Sequence, residues 1–99
     1  MNFYKIEIRR VSNSSFYRSI DFVDRSHYLA KRTALTVLEI WNENYREGGW
    51  IVELKIFSKE KEKPFSRKIT YKSIFYLDAR LKPFRDKRTV TDIKRLLEI

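Results

Sequence analysis

The feature that most constrains this chain is a double switch in its hydrophobic period. Between residues 3 and 10, Tyr4, Ile6 and Ile8 alternate with Lys5, Glu7 and Arg9, the period-2 pattern of a strand with one wet face. From Ala30 to Tyr45 the period lengthens to 3.6. Ala30, Ala34, Val37, Leu38, Trp41 and Tyr45 fall in a stripe about 100° wide, with Arg32, Glu39, Glu43 and Arg46 opposite. Trp50 to Phe57 then alternates again, with Val52, Leu54 and Ile56 on one side and Glu53 and Lys55 on the other. Strands on both sides of one long amphipathic helix predict a sheet with that helix laid on it.

The connections complete the plan. Ser12-Asn13-Ser14 is turn chemistry, and a second alternation follows it. There Phe16, Ile20 and Phe22 face one way, interrupted by Arg18, while Tyr17, Ser19 and Asp21 face the other. These two strands predict a first hairpin. Asp24 to Ser26 offers capping side chains for the helix, and Gly48-Gly49 predicts its end, because glycine takes the left-handed cap without steric cost. Lys59 to Pro64 reads as a solvated tip, and the alternation from Phe65 to Tyr71 predicts a second hairpin. Parity allows Lys55 to face Lys68, or Glu53 to meet Lys68 or Lys72; the lysine pair is mildly destabilising unless an anion sits beside it. Residues 71 to 82 have helical spacing at Tyr71, Ile74, Phe75 and Leu81, which predicts a short helix ending before Pro83. Thr89 or Thr91 is expected to cap a last helix that docks Val90, Ile93, Leu96 and Leu97 on the sheet. The expected fold is α+β: one domain over residues 1–99, an antiparallel four-stranded sheet of two hairpins, one long amphipathic helix and a short C-terminal helix, in the order β-β-α-β-β-(α)-α.

Composition narrows the chemistry. At 99 residues and 42% apolar, the chain holds enough hydrophobic surface for one core. No cysteine and a single histidine, His27, argue against disulfides and zinc, so no metal or other cofactor is expected. His27 stands at the start of the long helix with no carboxylate or nucleophile beside it in sequence, and reads as a surface or capping residue. The first ten residues mix charge and apolar groups unlike a signal peptide, and no run is long enough to span a bilayer, so a cytoplasmic protein without a membrane partner is expected.

Charge points to a partner. The net charge is +9, and it is uneven: residues 1–50 hold 8 basic and 6 acidic residues, and residues 51–99 hold 14 and 7. Lys63 to Arg95 carries eleven cations against Asp78, Asp86 and Asp92, interleaved with Tyr71, Tyr76 and Phe84. Cations that neutralise phosphates, with aromatic faces for stacking, are the general design of nucleic-acid contact. Arg67, Lys68, Lys72, Arg80, Lys82, Arg85, Lys87 and Arg88 are the candidate contacts, densest from Arg80 to Arg88. No sequence-reading module is present, so binding indifferent to base sequence is expected, to DNA, RNA or a nucleoprotein. The plainer reading is a solvated face that keeps the chain soluble.

Two other functions compete. Tyr28 and Leu35 lie on shoulders of the long helix outside its core stripe and, if exposed, would form a protein-binding surface. That reading makes the chain an adaptor or inhibitor of the kind phages and mobile elements encode. Glu53-Leu54-Lys55 resembles the E-x-K element of metal-dependent nucleases, in which the carboxylate ligates Mg²⁺ and the lysine stabilises the phosphate in transit. The resemblance covers three residues and implies a further aspartate on an adjoining strand, which Asp21 or Asp24 would have to supply. A wet strand face of alternating charge accounts for the same residues.

Overall fold

A computed structural model describes residues 2–46, 49–56 and 81–99, together with the backbone of residues 67–72. The protein is α+β, an antiparallel sheet with two helices. Strand β1 (Asn2–Arg10) lies between β2 (Phe16–Asp24) and β3 (Trp50–Ile56). Along the far side of β3 the backbone of Arg67–Lys72 (β4) pairs antiparallel, for a sheet order β2-β1-β3-β4. Helix α1 (His27–Asn44) lies on the sheet, and α2 (Lys87–Leu97) packs against α1.

Each strand obeys its alternation where one face is buried. Tyr4, Ile6 and Ile8 of β1 meet Val52, Leu54 and Ile56 of β3 under α1, all buried. Ala30 and Ala34 are fully buried, and their small side chains let the helix backbone lie close to the strands. Val37, Leu38 and Trp41 continue that contact as foreseen, whereas Tyr45 stays largely exposed. Each fully buried Ile or Leu contributes roughly 1.5–3 kcal/mol.

Three details depart from the regular pattern. The register of the first hairpin slips at Ile8/Arg9: Ile8 pairs with Arg18 and Arg9 with Phe16, which leaves Tyr17 as an extra residue on β2. Such a bulge reverses the facing of what precedes it. Phe16 is therefore exposed, and the Arg9 guanidinium lies 5.5 Å from its ring centroid. The second detail is the end of α1. Ser26 caps its start, accepting from the Leu29 N–H at 3.2 Å, but the helix stops at Asn44, ahead of the glycine pair. Tyr45 as C-cap has φ −129°, so no left-handed glycine is used. Instead the chain is drawn down to the sheet: Trp50 Nε1 donates to the Tyr45 carbonyl at 2.7 Å, and the Val11 N–H to the Gly49 carbonyl at 2.9 Å. The third is α2, capped by Asp86 rather than a threonine, since the helix begins at Lys87 and both threonines lie inside it. It rests on α1 instead of the sheet and leaves Leu96 exposed.

The expected tip at Lys59 to Pro64 lies outside the described residues. Of the short helix expected over 71–82, Tyr71 and Lys72 belong to β4, Leu81 and Lys82 are not helical, and 73–80 lie outside the described residues.

Candidate nucleic-acid interface

Helix α2 is built to present cations. The Asp86 carboxylate accepts from the Arg88 N–H at 2.7 Å, which starts the helix. Val90, Ile93 and Leu97 turn one side inward, with Ile93 and Leu97 buried. At 100° per residue, Lys94, Lys87, Thr91, Arg95 and Arg88 then span an arc of about 120° that starts about 40° from Val90 and turns away from the inward side. All five are exposed. At the far end Glu98 turns left-handed at φ 57°, and its N–H closes on the carbonyls of Arg95 and Lys94. Arg18, from β2, donates to the Leu97 carbonyl and pairs with Glu98 at 3.5 Å, so a cation caps the negative end of the helix dipole.

The segment before α2 is pinned to α1. Arg32 Nε donates to the Lys82 carbonyl at 3.1 Å, and its guanidinium lies 4.0 Å from the Phe84 ring centroid. The Phe84 N–H donates to Thr36 Oγ1 at 2.7 Å. Leu81 and Pro83 are buried, whereas Lys82 and Arg85 are exposed. Four of the eight candidate contacts, Lys82, Arg85, Lys87 and Arg88, thus lie on one continuous pinned stretch, and Lys94 and Arg95 extend it. Arg67, Lys68 and Lys72 lie on β4 at the sheet edge, where Lys68 pairs in register with Lys55. Arg80 lies outside the described residues.

Leu35 does not join a partner surface. It is 2% exposed, inside five consecutive buried positions from Ala34 to Leu38. Five successive residues go more than once around a helix, so chain covers α1 on sides other than the sheet. Part of that cover is the stretch held by Thr36 and Arg32. Tyr28 is 55% exposed, with the Arg32 guanidinium 6.0 Å from its ring centroid. His27 Nδ1 lies 2.7 Å from the buried Tyr4 hydroxyl, a contact that ties the start of α1 to β1.

On the sheet face away from α1, Glu53 lies opposite Glu7, and Lys55 opposite Lys5. Glu7 accepts from Lys55 Nζ at 2.7 Å and from the Arg9 guanidinium at 2.9 Å, and Arg9 lies 3.9 Å from Glu53. Burial pushes the Glu7 carboxyl up, but the hydrogen bonds and charges of Lys55 and Arg9 outweigh it and hold the group below its ordinary range. Glu7 thereby supplies an anion beside Lys55, whose backbone pairs in register with that of Lys68. Asp21 is opposite Lys5 on β2 and Asp24 opposite Asn2, so β1 separates both from Glu53. Among the described residues no three His, Cys, Asp or Glu side chains gather as metal ligands. No helix among them is long and apolar enough to cross a membrane.

One feature escaped the sequence reading. Arg10 and Arg18 fall on the inward parity of their strands, paired with Trp50 and Ile8 respectively. They stand where α1 ends, over Trp41 and Trp50, beside a cavity of about 480 Å³. The interrupting Arg18 was the signal in the sequence that this end of the sheet is not ordinary core.

Compared with known proteins, the chain matches no family model, no curated protein and no solved structure.

Proposed function

We propose that this is a small non-enzymatic accessory protein of the cytoplasm that binds nucleic acid or a nucleoprotein, largely without regard to base sequence, through α2 and the stretch leading into it. The reading takes the complete architecture as two hairpins in one four-stranded sheet, ordered β-β-α-β-β-(α)-α, a frame that carries the cationic segment on its helix layer. The observation that carries it is the arc of α2, where Lys87, Arg88, Lys94 and Arg95 follow Lys82 and Arg85; Glu39 and Glu43 of α1 border a cavity beside Arg85 and Lys94, and Lys82, Lys87, Arg88 and Arg95 lie away from them. Asp86 is occupied as the helix cap, Asp92 reaches Arg95 only at 3.9 Å, and Glu98 turns to Arg18. Cations on one rigid helix face can follow a phosphate backbone, and the lack of a base-reading motif favours contact with phosphate over base edges.

The test is a salt titration of binding to mixed-sequence duplex and single strands. Contact with four to six phosphates gives a slope of about −4 to −5 for log affinity against log salt on duplex. Replacing Lys87, Arg88, Lys94 and Arg95 together by glutamine should lower that slope by roughly 3 to 4. No binding at low salt, or a slope unmoved by the four substitutions, removes the proposal. A second reading, a protein-binding adaptor, draws on exposed Tyr28. It is favoured if a defined protein partner stays bound after nuclease treatment and is released by Tyr28→Ala.

A further inference from the structure

At the end of the sheet where α1 stops, aromatic rings and arginines are interleaved. Trp41 and Trp50 are buried and meet edge to face with centroids 5.6 Å apart. Tyr17, the bulge residue, packs edge-on to Trp50 at 4.9 Å, and Tyr45 lies 4.3 Å from Trp41. The two tyrosines remain 47% and 44% exposed, so each offers ring surface to solvent at the mouth of the cavity. Its volume of about 480 Å³ falls in the range of small-molecule sites.

Three guanidiniums line the same cavity. That of Arg10 lies 5.5 Å from the Tyr17 ring centroid and 5.1 Å from that of Trp50. Arg18 lies 6.0 Å from that of Trp41, and exposed Arg46 stands alongside Tyr45. Arg18 has an anionic neighbour in Glu98, but among the described residues no carboxylate pairs with Arg10 or Arg46. Two buried donors, Arg10 Nε and Trp41 Nε1, also have no acceptor among them. Native interiors rarely leave such donors unmet, and three cations gathered at one cavity repel each other unless an anion joins them.

We propose that this cavity is a binding site for a nucleoside phosphate, its base stacked on the tyrosine rings and its phosphate met by Arg10 and Arg46. The chemistry selects this class because the site pairs π-faces with guanidiniums, which bind phosphate through two parallel hydrogen bonds. An apolar ligand would leave the arginines unanswered, and inorganic phosphate would leave the rings unused. None of the residues lining the cavity lies on the cationic arc of α2, and the contact between the two is that of Arg18 with the end of the helix. The nucleotide is either free or one residue of a single strand, since both present the same groups.

The test uses the full chain and adenosine monophosphate. Trp41 and Trp50 are the two tryptophans of the sequence and both line the cavity, so intrinsic fluorescence reads occupancy directly. A saturable change is expected with the monophosphate, and binding at least about tenfold weaker with adenosine or inorganic phosphate alone, a difference of one pair of charge-assisted bonds. Arg10→Gln should weaken the monophosphate about tenfold, and Arg46→Gln, at an exposed position, several-fold with an unchanged circular dichroism spectrum. The glutamine set on α2 should leave this binding intact, which separates failure here from failure of the α2 interface. A single-stranded oligonucleotide gives the source: if its affinity also falls in Arg10→Gln, the nucleotide belongs to a polymer, and if only the monophosphate weakens, it is free. No saturable signal up to about 10 mM monophosphate, equal binding of adenosine, or wild-type affinity in both arginine variants overturns the proposal.

Discussion

Glu7→Gln tests how the wet face of the sheet is held together. The carboxylate takes hydrogen bonds from Lys55 and Arg9 at 2.7 and 2.9 Å, and the Glu7 and Lys55 side chains are only 11% and 14% exposed. Breaking a fully buried ion pair from one side costs ~3–5 kcal/mol. Arg9 keeps Glu53 at 3.9 Å and an amide still accepts one bond, so the cost should fall at about 2–3 kcal/mol. For a domain of this size that lowers Tm by roughly 10–15 °C. The pH dependence gives the sharper test. Because the folded carboxyl titrates below its ordinary value, the ionised form stabilises the fold above the unfolded pKa, and that stability is lost as pH falls through the folded pKa. Urea unfolding of wild type and variant should therefore show the full gap at about pH 7 and a shrinking one as acid protonates the carboxyl, with the carboxylates that do not share Arg9 or Lys55 cancelling in the difference. A gap under about 0.5 kcal/mol at neutral pH, as for a solvated surface pair, refutes the reasoning. So does a gap that persists unchanged in acid.

Two further substitutions probe the frame that holds the site. Thr36 is buried, with Oγ1 donating to the Arg32 carbonyl at 2.8 Å and accepting from the Phe84 N–H at 2.7 Å. Thr36→Val leaves that N–H without its acceptor, at a cost of about 1–3 kcal/mol, and should speed hydrogen exchange at Phe84; unchanged protection there would show that Thr36 does not pin the segment entering α2. Ser26→Ala removes the cap of α1 and should destabilise the fold by about 1 kcal/mol in urea unfolding, so a loss under roughly 0.2 kcal/mol would mean another group caps the helix.

The parts of the fold legible in the sequence are those where burial acts on one side alone. Tyr4, Ile6 and Ile8, then Val52, Leu54 and Ile56, announce their strands because the opposite face stays wet, and the stripe from Ala30 to Trp41 announces α1 through its 3.6-residue period. The misses come where a second influence enters. Leu35 is buried because α1 is covered on more than the sheet side, which no single-stripe reading anticipates. Phe16 turns outward because one extra residue, Tyr17, resets the parity, and a bulge leaves no mark in hydrophobicity. Lys82, Arg85, Lys87 and Arg88 could be read as surface cations, since exposure is the default for such side chains. Whether cations share a face is a matter of helix phase, and on α2 the phase follows from where Val90, Ile93 and Leu97 turn inward.

Arg10 and Arg18 are the instructive case, because on regular strands both occupy inward positions and so contradict the pattern that defines their strands. The contradiction dissolves once α1 is seen to stop at Asn44. Beyond that point α1 no longer covers the sheet's inner face, and among the described residues it is the end of α2 that reaches Arg18. An arginine there can lay its stem across Trp50 or Trp41 while its charged end stays at the rim. A cation on the inward parity near a strand end therefore marks the place where α1 no longer covers the sheet, and that is also where the cavity lined by Arg10, Arg18 and Arg46 opens.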